Sequence, residues 1–91
     1  MANRTRIRSG LLDAAYALDE RASGRAPELS RLLSGAITLD SLFRRRALDL
    51  DLQDAALSLE RAVTEGELYL DAKGRARAAA LAEKIRLLAG S

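Results

Sequence analysis

Apolar residues recur at helical spacing along most of the chain. Leu11, Ala15, Leu18 and Ala22 fall on one stripe, widened by Leu12 and Tyr16, which predicts a first helix from about Arg8 to Ala22. Ser9 or Thr5 can cap its start, and Gly24 stands where a C′ glycine belongs. Pro27 suits a first helical position, and Leu29, Leu32 and Leu33 give Pro27–Ser34 one apolar face that Gly35 is expected to end. Ala36, Ile37 and Thr38 then read as a three-residue strand or an extended connector. Thr38 is a fitting N-cap for a helix over Leu39–Leu48, with Leu39, Leu42 and Phe43 toward the core. Asp40 in its first turn and Arg44, Arg45 and Arg46 in its last complement the macrodipole. The next helix, Leu52–Glu65, carries Leu52, Ala55, Ala56, Leu59, Ala62 and Val63 on one face, with Asp51 as cap and Gly66 as stop.

Residues 67–77 admit two readings. In one, 67–71 form a strand, 71–74 a turn around Gly74, and 75–77 a short return strand. In the other, Asp71 is an N-cap and the last helix starts at Ala72, which puts Gly74 inside the first turns. The hairpin is preferred on that ground. The last helix is then expected over 78–89, with Ala78, Leu81, Ala82, Ile85, Leu88 and Ala89 on its stripe and Gly90 at C′. It can pack on the first helix or serve dimerisation.

Composition strengthens the helical reading. The apolar fraction is 48%, mostly Leu and Ala, and the only aromatics are Tyr16, Phe43 and Tyr69. Ninety-one residues suit one domain, with residues 1–6 as a loose basic arm, 37–77 as the central motif and 78–89 as the closing helix. A core of Leu and Ala has few large anchors, so self-association is one way to complete it.

The net charge of +2 hides a blocky distribution. Residues 1–12, 31–47 and 72–91 carry +3, +3 and +4, whereas 13–30 and 48–71 carry −2 and −6. Such blocks pair within a fold, across a dimer or with a partner.

Catalytic chemistry is not expected. The chain has neither His nor Cys, which removes the usual acid–base, nucleophile and zinc constellations. No phosphate loop or dinucleotide fingerprint occurs, and Asp49, Asp51 and Asp54 lack the spacing of a calcium loop, so they are assigned to helix capping. No enzyme, cofactor or metal site is expected. The basic N-terminus lacks an apolar signal segment and no run reaches a membrane span, which points to a cytoplasmic protein with no membrane partner.

The order of parts from Ile37 to Arg77 resembles the winged helix-turn-helix superfamily, and DAKGRARAAAL is similar to the wing-to-helix exit of MarR- and PadR-type bacterial regulators. The resemblance implies a mainly α domain of about five helices with a small β-hairpin. Ile37 and Thr38 would be the first strand, Leu39–Ala47 the positioning helix, Asp51–Glu65 the recognition helix and GELYLDAKGRAR the wing. It further implies a dimeric transcriptional regulator. Arg44, Arg45, Arg46, Lys73, Arg75 and Arg77 would contact phosphates of duplex DNA, and Gln53, Ser58 and Arg61 would read bases. Asp51 and Asp54 in the recognition helix oppose a polyanion. The alternative expectation is therefore a protein–protein interaction module, of accessory or phage-adaptor type, that binds another protein or a second copy of itself and not DNA.

Overall fold

A computed structural model describes residues 2–66 and 70–90, and among these every regular element is helical. Four helices follow in order: α1 (Ala2–Ala22), α2 (Leu29–Arg44), α3 (Leu50–Glu65) and α4 (Ala72–Gly90). Helix α1 is the centre, packing along both α4 and α2, while α2 lies against α3 and α3 touches α4 and α1 more lightly.

The expected five helices and β-hairpin are corrected to four helices with no strand among the described residues. Two local reasons account for this. First, the segments read as Pro27–Ser34 and Leu39–Leu48 are one helix, and Ile37 and Thr38 lie inside it. Gly35 does not stop α2; it lets α2 cross α1. A Cβ at Gly35 would stand 2.6 Å from the Cα of Ala14, so only glycine permits this approach. Gly10 of α1 plays the same part opposite Thr38, whose Oγ1 lies 1.8 Å from where its Cβ would be. Second, Asp71 is an N-cap. Its Oδ1 accepts from the Gly74 backbone N–H at 2.7 Å, and its carbonyl accepts from the Arg75 N–H. The helix therefore begins at Ala72, and the expected turn and return strand over 71–77 are its cap and first turns. The rest of the expected first wing strand, residues 67–69, lies outside the described residues.

Three further boundaries follow from local signals. Gly24 sits at φ 76°, and α1 closes with Arg25 N–H to the Glu20 carbonyl and Gly24 N–H to the Arg21 carbonyl, a Schellman pair. Helix α3 is capped by Asp49, whose Oδ1 accepts from the Leu52 N–H at 2.9 Å, two residues earlier than expected. Gly66 at φ 78° follows the end of α3, as expected.

One apolar cluster draws on all four helices, with Leu18, Leu39, Leu59 and Ile85 fully enclosed. Between them sit Ala14, Ala15, Ala17, Ala55, Ala78 and Ala82, small enough for close packing of the backbones. Most expected stripes are buried, except in α2. There Leu32 and Leu39 are enclosed, but Leu29, Leu33, Ile37 and Phe43 are exposed.

Candidate functional site

The residues expected to hold DNA do not form one surface. Arg44 lies beside Asp40 at 3.1 Å, and Arg45 and Arg46 are exposed in the turn after α2. Gln53 spends its amide on the Leu48 carbonyl at 3.1 Å, near the start of α3. Ser58, Arg61 and Arg77 converge instead on a cleft further along α3, which Arg21 also lines. Arg61 there pairs with Glu65 at 3.6 Å. Arg75 donates from Nε to the Leu70 carbonyl at 3.2 Å, and Lys73 is exposed in the first turn of α4. Because Lys73, Arg75 and Arg77 belong to a helix, no wing is present to carry them.

The acidic block of α3 faces the basic block of α4. Lys84 Nζ contacts Asp49 at 2.7 Å and Asp51 at 3.0 Å, while Arg77 Nη2 donates to Asp51 at 2.9 Å and Asp54 at 3.1 Å. The Lys84 ammonium, followed by the Leu52 N–H, holds Asp49 below the usual carboxylate range. Asp51 is lowered by Arg77 and then Lys84, and both cations are raised in return. Thus the charge segregation along the chain is used inside the fold. Elsewhere Arg86 joins α4 to α1 by contacts with Glu83 and Asp19. Arg31 ties α2 to α1, donating from Nε to Asp13 at 2.9 Å with its guanidinium 3.7 Å from the centre of the Tyr16 ring.

An apolar surface is left open as well. Between α2 and α3 runs a cleft of about 250 Å³ with Leu33, Ala36, Ile37 and Phe43 on one wall and Leu57 and Val63 on the other. Ile37 is 67% exposed and Leu57 50%. Its rim carries both signs, with Asp40 and Glu60 against Arg44. The feature was hidden in the sequence because Leu33 and Phe43 belong to the expected core and Ile37 to an expected strand. The signal was present, however: Leu29, Leu33, Ile37 and Phe43 follow a second helical stripe, legible once α2 is continuous.

Comparisons with protein-family models, curated proteins and solved structures give no match for this chain. The winged-helix resemblance is accordingly withdrawn, since no family model supports it and the hairpin it requires is replaced by the start of α4. No described helix is long and apolar enough to cross a membrane.

Proposed function

We propose that this chain is a protein-interaction module whose α2–α3 cleft docks a second copy of itself. One observation carries the reading: four large apolar side chains, Leu33, Ile37, Phe43 and Leu57, stay exposed around a single cleft between two helices. The mixed rim selects the occupant. A cleft edged by Asp40, Glu60 and Arg44 presents acid and base together, so a two-fold related copy can bring opposite charges into register. A cleft meant for a strongly charged partner would carry one sign. Light scattering over a range of concentrations tests it. A dimer is expected for the wild type and a monomer for Ile37→Asp, with the same helical circular dichroism. A wild-type monomer at every concentration overturns the reading.

A second reading, binding of duplex DNA, draws on the exposed Arg45 and Arg46 and on the shallow cleft that Arg45 shares with Arg6. It would be phosphate contact from a basic end without base readout. A low-salt gel shift against random duplex decides it: binding lost in an Arg45→Ala, Arg46→Ala double variant supports it, and absence of any shift in the wild type removes it.

A further inference from the structure

At one end of the bundle the last turn of α1, the loop and first turn of α2, the close of α3 and the approach to α4 line a half-open cavity of about 480 Å³. Arg21 lines it from the buried side. The residue is only 7% exposed, and its Nε has no hydrogen-bond partner. Arg25, Arg31, Arg44, Arg61, Arg77 and Arg86 each have a carboxylate within 4 Å, whereas among the described residues Arg21 has none. Arg61 adds a like charge nearby, and burial, followed by that charge, pushes the Arg21 guanidinium down from its usual range. A guanidinium does not resolve this by losing its proton, so the site calls for an anion.

The lining supplies more of the same sign. Arg75 faces the cavity with Arg21, its Nε on the Leu70 carbonyl, while Arg25 at the rim is already held by Glu20 through Nε and Nη2; no described lining residue is acidic. Helix ends decide little here, because the starts of α2 and α4 meet the ends of α1 and α3 and their dipoles oppose one another. The other wall is apolar, built from Pro27, Leu29, Leu32, Ala62 and Leu70. We propose that this cavity binds a small phosphate monoester, its phosphate held by Arg21 with Arg75 and its organic part seated on the apolar wall. Guanidinium forks match phosphate oxygens, and the volume is that of a small-ligand pocket, too large for phosphate alone.

Calorimetric titration of the full chain with phenyl phosphate, inorganic phosphate and phenol, at ionic strength matched with sodium chloride, tests the site. Phenyl phosphate is expected to bind more tightly than phosphate, and phenol not to bind. Arg21→Met should weaken phenyl phosphate by at least about tenfold, while in phosphate-free buffer it melts no lower than wild type, because an uncompensated buried charge has gone. If that variant does not fold, Arg21→Lys and Arg75→Ala should each weaken binding at unchanged helicity. Affinity that survives all these changes, or heats no larger than those of chloride, overturns the proposal. Glu67 lies in sequence between Gly66 and Leu70, both of which line the cavity. If Glu67→Gln lowers the melting temperature and the wild type ignores phosphate, the counter-charge is the chain's own and the site falls.

Discussion

Arg46 follows α2 in left-handed backbone at φ 57°, with its N–H on the Phe43 carbonyl and the Ala47 N–H on the Leu42 carbonyl. This is the same Schellman closure that Gly24 gives α1, made here by a residue whose Cβ disfavours it. Arg46→Gly is therefore expected to stabilise the fold by about 1 kcal/mol, seen as a rise of roughly 4–8 °C in melting temperature. Gly35 is the opposite case. A methyl group there meets Ala14 main chain, which cannot swing away, so Gly35→Ala should destabilise by about 1–3 kcal/mol or more, measured by urea unfolding. Both effects turn on contacts and dihedrals that residue type alone does not reveal. A glycine at 35 reads as a stop in sequence and is a close crossing in space. Arg21 is similar: it falls on the buried stripe with Ala14 and Leu18, so a charge at an apolar register position was visible, but the missing counter-charge was not.

Among the elements, α3 and α4 hold each other by charge at the start of α3, where Asp49, Asp51 and Asp54 meet Lys84 and Arg77. Asp49 and Asp51 titrate below the ordinary range in the fold, so the stability they contribute is full above about pH 4 and is lost as pH falls through their folded values. Lys84 is raised, so its share persists below about pH 10 and is lost as pH rises through its folded value. Lys84→Gln is expected to lower the melting temperature at neutral pH and to flatten its fall between about pH 5 and about pH 3. An unchanged acid slope would mean that these exposed pairs contribute nothing measurable. The register of α3 and its glycine stop were legible because they are local, as was the end of α1. The start of α4 was harder. Asp71 with Gly74 three residues on satisfies both a turn and a cap, and the cap prevails here as Ala78, Leu81, Ala82 and Ile85 bury one continuous helical face.

For the whole molecule, four helices with an alanine-rich core leave a cleft lined by exposed Leu33, Ile37, Phe43 and Leu57. If a second copy covers it, the melting temperature must rise with protein concentration, and Ile37→Asp must abolish that dependence. The sequence by itself determined that the chain is mainly helical and where most buried stripes run, but it also favoured a hairpin over 67–77 that the structure replaces with the cap and first turns of α4. Those properties follow from leucine and alanine at a period of 3.6, from caps, and from glycine at the ends of α1 and α3, all within a few residues of one another. Only the tertiary structure decided that two expected helices are one, that Asp49, Asp51 and Asp54 of the acidic block meet Lys84 and Arg77, and that Arg21 is buried without a described counter-charge. Each of these depends on which distant segment lies opposite: Ala14 against Gly35, Lys84 against Asp51, Arg75 beside Gly24. Periodicity marks the face a helix will bury, but the partner that buries it is chosen by packing.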